Sequence, residues 1–112
     1  MVKHSLCLYF MDKFIPLDIP LDKVLEFAEN RPLELFKLVR NIIENEVGQV
    51  YDVEVYEKYF DPKDMDIVIE YFVKCSLGEL SLKIIYSRDP MKTLNKYYDY
   101  EKSIKSRSHG NY

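Results

Sequence analysis

Asp61, Asp64 and Asp66 lie within one short stretch, and carboxylates at that spacing are the first place to look for chemistry. Clustered carboxylates can hold Mg²⁺ against a phosphate, which is the start of a metal-dependent nuclease site. They also match the first half of a calcium loop, which further needs a glycine at its sixth position and a glutamate at its twelfth. Counted from Asp61, those positions hold Asp66 and Phe72, so the loop fails. Asp61-Pro62-Lys63-Asp64 is also good turn chemistry, and the expectation is a solvated hairpin turn with no metal assigned. His4 and His109 stand near the chain ends, where a general base is seldom packed against its nucleophile. With only three glycines and no glycine-rich phosphate loop, zinc spacing or nucleophile elbow, catalysis is not expected and no cofactor is implied.

Charge is distributed unevenly around a formal net of -3. Acids dominate the chain before Lys83, and bases dominate after it through Arg88, Lys92, Lys96, Lys102, Lys105 and Arg107. An acidic body with a basic, tyrosine-rich tail presents two different surfaces to partners. Lys83, Arg88, Lys92, Lys96 and Lys102, interleaved with Tyr97, Tyr98 and Tyr100, are therefore the candidates for an alternative, nucleic-acid-binding reading. Bases neutralise phosphates and rings stack on exposed bases. The helix-strand-strand-strand-helix order of the last two-thirds is similar to a double-stranded-RNA-binding domain. That family carries a lysine cluster at the start of its last helix and a basic loop between its first two strands. Here the lysines are sparse and the loop is the acidic Asp61-Pro62-Lys63-Asp64.

The elements that position these residues follow from periodicity. Val50 to Ser87 reads as three successive strands with alternating apolar and polar residues, a sheet with one dry face. In the first strand Tyr51, Val53, Val55 and Tyr59 share a face; in the second, Ile67, Ile69, Tyr71, Val73 and Cys75; in the third, Leu80, Leu82, Ile84 and Tyr86. Leu6 to Met11 is apolar on both faces, which predicts a strand interior to the sheet or covered by a partner. Ile15 to Pro20 is a proline-punctuated turn, after which Leu21, Val24, Leu25 and Ala28 line one face of a short helix. Asn30 and Pro32 open a longer helix whose apolar stripe holds Leu35, Phe36, Leu38, Val39, Ile42 and Ile43, with Gly48 as its C-cap. Asp89-Pro90 caps and starts a last helix through Met91, Leu94, Tyr98 and Ile104.

The expected fold is a single α+β domain over residues 1–106 with a frayed tail over 107–112. Its order is β-α-α-β-β-β-α: an antiparallel meander of three strands plus an N-terminal strand, with helices packed on one face. At 112 residues the chain is one domain in size, and no stretch approaches the ~20 apolar residues of a membrane span. The apolar N-terminus lacks a small-residue cleavage site and is broken by Asp12 and Lys13, so a strand is read there and a cytoplasmic protein is expected. Cys7 and Cys75 sit in apolar strands and are read as buried, reduced thiols. A single alanine, Ala28, and a single glutamine, Gln49, beside many charged residues lean towards a thermophilic, crenarchaeal or viral source.

The outward face of the meander is the more suggestive surface. Tyr56, Val68, Phe72 and Ile85 alternate there with Glu54, Glu70, Lys58, Lys74 and Lys83, and exposed aromatics rimmed by charge resemble the core of an interface. Coverage by the last helix and self-association into a homodimer are the two other readings of that face. The layout resembles the type I-D anti-CRISPR family of archaeal viruses along Leu6-Cys7-Leu8-Tyr9-Phe10, Pro20-Leu21-Asp22-Lys23-Val24-Leu25-Glu26-Phe27 and Ile84-Ile85-Tyr86. That resemblance implies a non-catalytic inhibitor that docks on a large protein through an acidic face; the basic tail departs from the pattern. The expectation is a small, dimeric protein-interaction module, with Glu54, Tyr56, Glu57, Glu70 and Phe72 forming the contact.

Overall fold

A computed structural model describes residues 3–109, without the side chains of Leu21 and 105–109. The elements are β1 (Ser5–Phe10), β2 (Lys13–Pro16), α1 (Leu21–Asn30), α2 (Pro32–Val47), β3 (Val50–Asp61), β4 (Asp66–Cys75), β5 (Gly78–Ser87) and α3 (Pro90–His109). All strand pairs are antiparallel, in the order β2-β1-β5-β4-β3. The α+β class and the element order are those the sequence predicts, with β2 added where a turn is expected. Tyr9 pairs with Phe14 across the β1-β2 hairpin, so β1 lies between two strands. That position explains why it is apolar on both faces.

The helices do not all pack on one face. α1 and α2 cover the first, burying Val24, Leu35, Phe36, Val39 and Ile43 against Leu8, Ile69, Tyr71, Leu82 and Ile84. α3 covers the opposite face, where Leu94 and Tyr97 bury Cys7, Val68 and Ile85. The sheet is thus sandwiched over part of its area, and the apolar residues on its supposed outer face, Val68 and Ile85, are a second core. The two cysteines fall on opposite sides of the sheet, Cys75 in the first cluster and Cys7 in the second, and both thiols are free. Burial pushes the Cys7 thiol up to about 11.

Strict alternation fails in β3. Register shifts lie between Val50 and Asp52 and between Val55 and Glu57, leaving Tyr51 and Tyr56 as the extra residues of β-bulges. Each bulge reverses the phase of the residues after it. Tyr59, expected beside Val53 and Val55, instead pairs with Val68 and packs on the α3 side. Lys58 turns to the other face, and its Nζ donates to the Glu29 carbonyl at 3.2 Å. β3 is an edge strand, and bulges there discourage edge-to-edge pairing.

Local chemistry sets the connections. Arg31, not Asn30, is the residue before α2, and its N–H donates to the Phe27 carbonyl at 2.9 Å. Leu38, expected in the buried stripe, is 47% exposed, because Leu35, Phe36, Val39, Ile43 and Val47 define the buried side of α2. Gly48 caps α2 at φ 79°, its N–H on the Glu44 carbonyl at 3.0 Å. Glu44 Oε2 then accepts the Val50 N–H at 2.8 Å and Arg40 Nη2 donates to the Val50 carbonyl at 2.7 Å, which docks the start of β3 onto α2. Asp89 Oδ1 accepts the Lys92 N–H at 3.2 Å and caps α3 as expected. The helix continues through His109; the last three residues of the expected tail, 110–112, lie outside the described residues. Among the described residues no helix is long and apolar enough to cross a membrane.

Candidate interaction surface

The site is built around α3, because what α3 covers and what it leaves open decides which sequence candidates are available. Asp61, Asp64 and Asp66 do converge at the end of the β3-β4 hairpin, each offering an oxygen within 4.8 Å of the others. The centre of that group is taken by Lys96 from α3. Its Nζ donates to Asp61 Oδ2 at 2.7 Å, Asp66 Oδ2 at 2.8 Å and Asp64 Oδ2 at 2.9 Å. Hydrogen bonds to Asp61 and then Asp66 hold the Lys96 ammonium well above its ordinary pKa, and the same lysine's hydrogen bonds hold Asp61 and Asp64 below theirs. Thr93 Oγ1 donates to Asp66 Oδ2 at 3.1 Å. His4, expected to be loosely held near a chain end, stacks on Tyr86 at 4.8 Å with its Nε2 2.9 Å from the Asp64 carbonyl oxygen and 3.5 Å from Asp66 Oδ1. This clasp fastens α3 to the hairpin, and a divalent cation would have to displace the lysine to enter.

A second polar group lies under the middle of α3. Glu70 and Lys83 are cross-strand partners on β4 and β5, each 5% exposed, with Nζ and Oε2 3.9 Å apart. Tyr97 Oη donates to Glu70 Oε1 at 2.7 Å. The Lys83 ammonium lies 5.3 Å from the Tyr98 ring centroid and 5.8 Å from that of Tyr9, placements that favour a cation. Burial first, and the Glu70 hydrogen bond second, raise the Tyr97 phenol far above its ordinary range. Both Glu70, in the acidic face, and Lys83, in the basic set, are partner-binding candidates by sequence. The structure corrects both: they are buried in one internal pair. Of the remaining basic candidates, Lys96 is committed to the clasp, whereas Arg88, Lys92 and Lys102 are exposed.

Beyond the reach of α3 the same sheet face stays open among the described residues. There Glu54 pairs with Phe72 across β3 and β4, Phe72 with Ser81, Asp52 with Lys74, and Lys74 with Glu79. The bulged Tyr56 brings its ring onto Phe72, with centroids 4.3 Å apart at 27°. Tyr56 is 43% and Phe72 39% exposed, and Phe72 lines a groove of about 510 Å³ with Asp52, Glu54, Lys74, Glu79 and Ser81. Glu57 is half-buried beside it, accepting the Lys58 N–H at 3.1 Å. Of the five residues expected to form the contact, four therefore share this face and Glu70 leaves it. Asp52 and Glu79 join it, which alternation along the strands could have indicated. A separate apolar groove of about 470 Å³ lies between α1 and the β3-β4 hairpin, where Leu25, Phe60 and Met65 are exposed. Comparison with family models, with curated proteins and with solved structures finds no match to this chain.

Proposed function

We propose that the protein is a non-catalytic interaction module that docks on a macromolecular partner through the sheet face α3 leaves open. Tyr56 and Phe72 anchor the contact, and Glu54 and Glu57 steer the encounter. The observation that carries this reading is the stacked, exposed Tyr56–Phe72 pair on a face whose aliphatic residues Val68 and Ile85 are buried. Exposed aromatics ringed by charge supply most of the binding energy in protein interfaces. The narrower form, an archaeal viral protein that inhibits a CRISPR effector in the host cytoplasm, rests on the resemblance to the type I-D anti-CRISPR family alone. Self-association belongs to the same reading, and the groove at Leu25, Phe60 and Met65 offers it an apolar surface. Nucleic-acid binding is the weaker reading, since Lys83 and Lys96 spend their charge internally.

Affinity capture from a crenarchaeal lysate, with and without nuclease, separates the two readings. Retention of one or two proteins after nuclease treatment is the expected result. Capture that vanishes with nuclease, together with direct binding that weakens steeply with salt, would transfer the function to Arg88, Lys92 and Lys102.

A further inference from the structure

The open groove has an internal template elsewhere in the fold. On α1 and its C-terminal boundary, Arg31 lies 5.7 Å from the Phe27 ring centroid while its Nη2 donates to Glu26 Oε1 at 2.9 Å. One arginine is held there by an aromatic face and a carboxylate together. The groove presents the same two partners, the Phe72 ring and its cross-strand neighbour Glu54, with no arginine between them among the described residues. Charge points the same way. Asp52, Glu54 and Glu79 are exposed, and among the described residues their side chains make no hydrogen bond or ion pair; Lys74 is the one base among the groove's lining residues. Three carboxylates against one ammonium leave a net negative groove lined by the Phe72 ring, on whose side Tyr56 stacks, which is the environment that favours a guanidinium over other groups.

We infer that the occupant of this groove is an arginine-bearing polypeptide segment of another protein. The planar guanidinium stacks on the Tyr56–Phe72 pair and hydrogen-bonds Glu54 or Glu79. Other occupants fit the charges less well. A phosphate backbone meets three carboxylates, and a second copy brings the same acidic face into like-charge contact. The inference rests on the interface reading of this face and adds the chemistry of what binds there.

The test is titration of an acetylated, amidated hexa-arginine peptide into the isotopically labelled protein, followed by amide and aromatic-ring chemical shifts, with hexalysine as comparison. Saturable shifts centred on Glu54, Tyr56, Phe72 and Ser81, tighter for arginine than for lysine and weakened between about 50 and about 300 mM salt, are expected. Phe72→Ala and the double change Glu54→Gln with Glu79→Gln should each lower the affinity by about fivefold or more, with melting temperatures close to wild type. Absence of saturable shifts, equal response to both peptides, or shifts that ignore Phe72→Ala would overturn the inference. The two levels separate cleanly. If Tyr56→Ala and Phe72→Ala abolish capture of a protein partner but hexa-arginine does not bind, the interface stands and its arginine specificity falls. If capture survives both substitutions, the interface reading itself falls.

Discussion

Replacing Lys96 by methionine removes one ammonium and keeps most of the side-chain length, which makes it a direct probe of what holds α3 down. In the native protein three carboxylates converge on Nζ at 2.7 to 2.9 Å, and Asp66 is buried. Removing one partner from a buried charge pair costs about 3 to 5 kcal/mol. Lys96 keeps partial solvent contact, with 28% side-chain exposure, and screening lowers the cost to roughly 2 to 3 kcal/mol. An unfolding entropy of about 2.1 cal/mol/K per residue gives about 0.24 kcal/mol/K over 112 residues, so the melting temperature should fall by about 10 °C. The sign of the pH dependence is set by the direction of each shift. Asp61 and Asp64 titrate below their ordinary values because of Lys96, so their contribution is present above about pH 4 and is lost as pH falls through the folded values. Lys96 titrates above its ordinary value, so its contribution is present below about pH 10 and is lost as pH rises beyond that. In Lys96→Met the three carboxylates repel one another, and acid relieves them; the difference from wild type should shrink between about pH 7 and about pH 4. Calorimetric melts of both proteins across that range are the assay. A loss of less than about 2 °C at neutral pH, or a difference that stays constant down to about pH 4, would refute the assignment of the clasp.

Two further perturbations test the packing on either side of the sheet. Tyr97→Phe deletes the hydroxyl that donates to Glu70 at 2.7 Å in a buried site, and should destabilise by about 1.5 to 3 kcal/mol in urea unfolding; a change within about 0.5 kcal/mol would mean that the hydrogen bond contributes little. Gly48→Ala forces a Cβ at φ 79° to 2.9 Å from both Ser76 Cβ and Oγ. It should destabilise by about 1 to 2 kcal/mol, whereas unchanged stability would show that the α2-β3 connection tolerates a side chain.

The parts of the fold visible in the sequence are those governed by local periodicity. The alternation of β4 and β5 was legible because Ile67 to Cys75 and Leu80 to Tyr86 keep strict phase with their neighbours. In β3 the same rule misplaced Tyr59 and Lys58, since a bulge is a property of pairing between strands and leaves no compositional mark when its extra residues are Tyr51 and Tyr56. The site divides in the same way. Exposure of Tyr56 and Phe72 and convergence of the three aspartates were legible from spacing. For Glu70 and Lys83 the sequence left coverage by the last helix as one of three readings of that face, and choosing it depends on α3 bringing Tyr97 and Tyr98 over them. Spacing could not show that Lys96, 30 residues from Asp66, supplies the cation for the aspartate cluster. A lysine counted as a nucleic-acid contact on charge pattern is a structural fastener once its partners are known.

Whether the open sheet face is an interface is decided by the double variant Tyr56→Ala with Phe72→Ala. Both side chains are substantially exposed, so the variant should keep a melting temperature within a few degrees of wild type. Used as bait beside wild type in nuclease-treated lysate, it should fail to retain the proteins that wild type retains. Retention of the same proteins in the same amounts by both baits would mean that this face is not the interface.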